Sequence, residues 1–140
     1  STVKMWMGPG DPHVSTGTMV NTMQLGGLFL AHDYKGDPNP GPFPAFEGKG
    51  FFGFNKHKKQ YEGYWIDNAA SWMSLEAGQL DAAGKVWTMH SEMDDPMTGK
   101  PTKKRSVIKI IDKDHHSMEM FFTPVGGTET RCMEIQYKRK

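Results

Sequence analysis

The chain predicts an all-β protein: a closed, antiparallel, up-and-down β-barrel of about ten strands. Three observations predict it. Short segments of alternating or β-branched character recur about every 8–12 residues. Clusters of Gly, Pro, Asp and Asn separate them, and no stretch keeps a helical period. Successive segments read as hairpins, and a long meander of hairpins removes its exposed edges by closing on itself. At 140 residues the chain suits one domain over residues 1–140, long enough to bury a single core.

The elements follow in order. Ser1 to Met7 alternates Val3, Met5 and Met7 against Lys4 and Trp6, a short strand that ends at Gly8-Pro9-Gly10-Asp11-Pro12. His13 to Gln24 carries Val14, Thr16, Thr18, Val20 and Thr22 in strand alternation, broken by Gly26-Gly27. Leu28 to Tyr34 resumes, with Leu28, Leu30, His32 and Tyr34 on one face. Lys35 to Phe46 holds four prolines and must be a loop; Phe43 and Phe46 suit a segment folded back as a cover, so Gly36 to Phe46 is expected to gate a barrel mouth.

Gly50–Asn55 and Gln60–Asn68 form a hairpin across Lys56-His57-Lys58-Lys59. Within it Tyr61, Gly63, Trp65 and Asp67 share one face and Glu62, Tyr64 and Ile66 the other. Ser71–Leu80 and Lys85–Asp94 form the next hairpin, turning at Asp81-Ala82-Ala83-Gly84; Ala, Leu and Glu content alone would allow a short helix, but Trp72, Met73 and the flanking glycines favour extended structure. Asp95 to Lys104 reads as a second loop. Ser106–Ile111 and His116–Thr123 are answering strands, and Gly126-Gly127-Thr128 turns the chain into Thr130–Tyr137.

Composition excludes several functions. A formal net charge of +1 supplies no field to steer nucleic acid. The basic runs Lys56–Lys59, Lys103-Lys104-Arg105 and Lys138-Arg139-Lys140 read as a solvated turn, a loop end and a terminus. Aromatics among lysines at residues 51–65 suggest a single-strand nucleic-acid platform, but Glu47, Glu62 and Asp67 stand among them. No apolar run approaches the ~20 residues of a spanning helix, so no membrane insertion is expected. One cysteine, Cys132, excludes an internal disulfide, and a cytoplasmic location is expected by elimination. The 11 methionines are scattered singly and suit cavity walls better than a soft-metal site. His115-His116 point to opposite faces of a strand, and no paired ligand spacing accompanies them, so no metal is expected.

Several blocks together resemble a bacterial domain-of-unknown-function family grouped with the calycins, the superfamily of lipocalins and fatty-acid-binding proteins. They are Leu25-Gly26-Gly27-Leu28-Phe29-Leu30, Phe46-Glu47-Gly48-Lys49-Gly50, Gly63-Tyr64-Trp65-Ile66-Asp67, Glu76-Ala77-Gly78, Glu92 to Lys100 and Met133-Glu134-Ile135. The resemblance covers nearly the whole chain and implies a lipocalin-like barrel. It supplies no catalytic residue. Members carry a further tryptophan-containing segment ahead of the first strand, which implies a mouth plugged differently here or closed by a partner chain.

A barrel has one interior, so inward polar groups are where ligand contact or chemistry belongs. If Tyr61 and Trp65 point inward, the same alternation brings in Trp72, Ser74 and Glu76, then His90 and Glu92, His32 and Tyr34, and Glu134 with Gln136. The expected function is binding of a small hydrophobic or amphipathic ligand in a cavity lined by His32, Tyr34, Tyr61, Trp65, Trp72, Glu76, His90 and Glu134. One alternative is an enzyme with Glu76 and His90 as acid and base. Another is a barrel with a filled interior that acts through its outer face, including as a homodimer. No cofactor is expected; haem held through His32 or His90 is the alternative. Cys132 lies mid-strand, where a thiol is usually inert.

Overall fold

The computed structural model describes residues 1–38, 44–95 and 98–140. Ten strands run β1 (Thr2–Met5), β2 (His13–Gln24), β3 (Phe29–Gly36), β4 (Glu47–Asn55), β5 (Gln60–Asp67), β6 (Ser74–Leu80), β7 (Val86–Asp94), β8 (Pro101–Ile110), β9 (His115–Pro124) and β10 (Thr130–Lys138). Each pairs antiparallel with its neighbours in sequence, and β1 pairs β10, with Val3 opposite Ile135, to close the barrel. Besides the strands, the described residues contain one 3-10 turn, Leu25–Gly27, at the expected Gly-Gly break. The fold class is as the sequence predicts.

Turn chemistry sets the hairpins. Asp81 Oδ1 accepts from Lys85 N at 2.7 Å and Val86 N at 3.0 Å, pinning the β6–β7 turn. Asn55 Oδ1 does the same for His57 N and Lys58 N in the β4–β5 turn.

Several boundaries differ from expectation: β4 begins at Glu47 rather than Gly50, and two others bear on the site. β6 begins at Ser74, not Ser71, because Asn68 to Trp72 is spent on turns and bends, with Asp67 Oδ1 accepting from Ala69 N at 2.9 Å. β8 begins at Pro101, five residues before Ser106, because Pro101 to Arg105 pairs with Asp94 to His90 in unbroken register. The proline stands at the first strand position, where its missing N–H is tolerated.

Burial alternates at the start of β8 and, carried across the ladders by register, identifies the inner face. On β8, Thr102, Lys104 and Ser106 are buried between exposed or half-buried neighbours Lys103 and Arg105. Val3, Tyr34, Ile135 and Tyr137 form a buried apolar cluster with Met19, Trp65, Met118 and Met133 packed against it. Among the described residues, Met89 and Ser106 are the largest side chains fully cut off from solvent. Inward aromatics such as Phe52, Tyr61 and Trp87 stay half-buried inside a closed wall. Eight strands leave an interior that side chains just fill, and ten leave a wider one.

Part of the expected gate, residues 39–43 including Phe43, lies outside the described residues. Phe46 is described: its ring meets Tyr34 edge-on at 5.9 Å, and its carbonyl accepts from Gly36 N at 2.7 Å.

Candidate functional site

Strand register decides which side chains share the lumen. Met89 is 0% exposed and pairs with Gly78 and Ser106; Gly78 pairs with Tyr61, and Gly63, opposite Glu76, follows on the same face. Continuing around the wall, Trp65 stands opposite Gly50, Gly50 opposite His32 and Gly48 opposite Tyr34. His32, Tyr34, Tyr61, Trp65, Ser74 and Glu76 therefore share the inner face, as expected.

Three expected lining residues do not. His90 lies next to Met89 on β7 and so points outward, where it is exposed and pairs in register with Ala77 and Arg105. Glu134 lies between Met133 and Ile135 and faces out, with Arg131 Nη1 at 3.2 Å and Lys4 Nζ at 3.9 Å; Glu92 and Gln136 share that outer face. Trp72 precedes β6 in a bend and is 40% exposed. Glu76 and His90 stand on opposite sides of the wall, so they cannot serve as an acid–base pair, and His90 cannot ligate a group in the lumen.

Two polar clusters occupy the inner face. In the first, Lys104 Nζ donates to Ser74 Oγ at 2.7 Å and lies 3.3 Å from Glu76 Oε2, which also accepts from Ser106 Oγ at 3.2 Å. The Lys104 and Glu76 side chains are only 7% and 11% exposed. Burying two charges this far costs several kcal/mol per ion, offset only when each finds its partner and further hydrogen bonds, as here. The Ser91 and Thr102 hydroxyls, on the same face beside Lys104, are buried with no hydrogen-bond partner among the described residues.

The second cluster joins His32, His116 and Tyr137. His32 Nδ1 donates to Asn21 Oδ1 at 2.7 Å, and the His32 ring meets Phe52 edge-on at 5.3 Å. That bond leaves His32 Nε2 as the open lone pair. Burial pushes His32 down to about 4, and His116 nearby adds to the effect. Burial likewise lowers His116, whose ring stacks on Tyr137 at 4.3 Å. Desolvation raises the Tyr137 phenol well above its ordinary range and pushes the Cys132 thiol up to about 11, which favours the protonated thiol over the nucleophilic thiolate.

Lys104, Ser106, His116 and Tyr137 escape the sequence reading as site residues. The signal was there for Lys104: Thr102, Lys104, Ser106 and Ile108 alternate once the strand is allowed to start at the proline.

Two open clefts lie at the barrel ends. One of about 620 Å³ is lined by Met93, Thr102, Pro124, Val125 and neighbours; the other, of about 420 Å³, by Ser1, Ile111, His115 and Tyr137 among others. No group of three or more His, Cys, Asp or Glu among the described residues could hold a metal ion. No helix among them is long and apolar enough to cross a membrane.

A family model described as "Protein of unknown function (DUF1579)" matches residues 1–139. The chain belongs to that family. No curated protein matches this member of the DUF1579 family.

Proposed function

We propose that this DUF1579 protein binds one small hydrophobic or amphipathic molecule in its barrel lumen, and that its barrel is related to those of the calycins. One observation carries the reading. Inward aromatic side chains, Phe52, Tyr61 and Trp87 among them, are only half-buried although the wall around them is closed. Apolar side chains facing unfilled space forgo both contact and water exclusion, and a ligand of matching shape supplies both. The few polar groups among them, Lys104, Glu76 and His32, suit the usual make-up of a small-molecule pocket.

Native mass spectrometry of freshly purified protein tests this. The expected result is a stoichiometric small-molecule adduct that is released on unfolding. Only bare protein mass, with no uptake of alkyl ligands, would contradict it.

A second reading, self-association through the outer wall, is favoured by a register-aligned apolar row. Phe51 stacks on Tyr64 at 5.5 Å, Tyr64 pairs with Leu75, and Leu75 is 65% exposed. Sedimentation of wild type against Leu75→Glu checks it: a dimer that the variant dissociates supports it, and a monomeric wild type overturns it.

A further inference from the structure

The binding reading leaves the ligand's chemistry open, and the inner face narrows it. We propose that the ligand is an uncharged amphipath, of the alcohol or primary amide class, whose head group docks on the Glu76–Lys104 pair. This deepens the lumen-binding reading and rests on it.

The pair has the right valences. Lys104 has three N–H donors; one goes to Ser74 and a second side of the ammonium faces Glu76, which leaves a donor over. Glu76 accepts through Oε2 from Ser106 and pairs there with the Lys104 ammonium at 3.3 Å, while Oε1 takes no bond among the described residues. One donor and one acceptor thus stand side by side, which a hydroxyl or an amide satisfies reciprocally. The Ser91 and Thr102 hydroxyls beside them add further unmade bonds.

Charge decides against an ion. A cation and an anion 3.3 Å apart present no net charge to a third group. An ionised carboxylate would lose its hydration and meet Glu76 as strongly as Lys104; an ammonium would meet Lys104 likewise. Apart from Asp67, the other inward groups with shifted titration supply no counter-charge. Burial holds His32 and His116 neutral near pH 7, and holds Tyr137 and Cys132 protonated. Asp67, near the end of β5, accepts from Trp65 Nε1 at 3.0 Å, and its sign opposes an anion further.

The test is a matched series of twelve-carbon ligands, dodecanol, dodecanamide, dodecanoate and dodecylammonium, titrated by tryptophan fluorescence at about pH 8, where the carboxylate is ionised. The alcohol and amide are expected to bind roughly tenfold or more tighter than either ion. Glu76→Gln, which leaves Lys104 unpaired at constant shape, is expected to shift the preference toward dodecanoate by a similar factor. Equal or tighter binding of dodecanoate to the wild type overturns the inference while leaving lumen binding intact. If none of the four binds, both readings fall. The wild-type comparison does not depend on the variant's folding, which its thermal melt checks separately.

Discussion

The His116 ring lies parallel to Tyr137, centroids 4.3 Å apart and planes 7° from each other, inside the barrel wall. The stack joins β9 to β10 beside the buried cluster of Val3, Tyr34 and Ile135. It brings a second imidazole to the lumen near His32, and burial lowers the titration of both.

Stability should fall as pH drops from about 6.5 toward 4. Both histidines titrate lower folded than unfolded, His32 at about 4, so the unfolded chain binds more protons in that window and protonation favours unfolding. The histidine contribution is complete above the unfolded value near 6.5 and lost through the folded values. His32→Gln, which keeps a donor for Asn21, is expected to flatten the slope of melting temperature against pH. An unchanged slope would show that His32 is not held neutral.

Lys104→Met should destabilise by about 3 kcal/mol, because it leaves Glu76 buried without its cation. The double variant Lys104→Met with Glu76→Leu should recover most of the loss. Urea denaturation of both variants checks this, and a double variant as unstable as the single would point to lost packing instead.

Gly50 makes room for Trp65. A Cβ there would stand 2.9 Å from Trp65 Cε3 and 2.6 Å from Tyr64 O, with backbone on one side and a ring on the other. Gly50→Ala is expected to cost about 1–3 kcal/mol and to shift the Trp65 emission. A neutral substitution with unchanged emission would place Trp65 elsewhere.

His90→Ala should leave ligand affinity within about twofold of wild type, since His90 faces solvent. Glu76→Ala should weaken it by roughly tenfold. Titration of both with dodecanol separates the faces of the wall, and a His90 effect as large as that of Glu76 would contradict the register.

Much of the barrel was legible because β-branched alternation and Gly/Asp turns punctuate the chain at strand length. Tyr61, Trp65, Glu76 and His32 were placed on the correct face because each alternates with residues of evident burial. His90 was not, since both faces of β7 are apolar: Val86 and Thr88 compete with Trp87 and Met89, and a phase error of one residue reverses all of them. Glu134 reads as inward only if its polarity is weighed above the phase of Met133, Ile135 and Tyr137, which mark the inner face. Lys104 was lost to a boundary. Within Lys103-Lys104-Arg105 only the middle side chain turns inward, and a run of three cations looks solvated unless the strand is known to reach it.

The central claim is that an unfilled lumen accepts a ligand against its inner wall. Trp65 and Trp87 face that lumen, whereas Trp6 lies under Arg131 on the outside, 4.7 Å away, and Trp72 sits in an exposed bend. Contact quenching of tryptophan by 11-bromoundecanol, measured in a Trp6→Phe, Trp72→Phe background, tests this most directly. The account predicts saturable quenching that survives both substitutions. Quenching that disappears with Trp6 and Trp72, or none at all in the wild type, would contradict it.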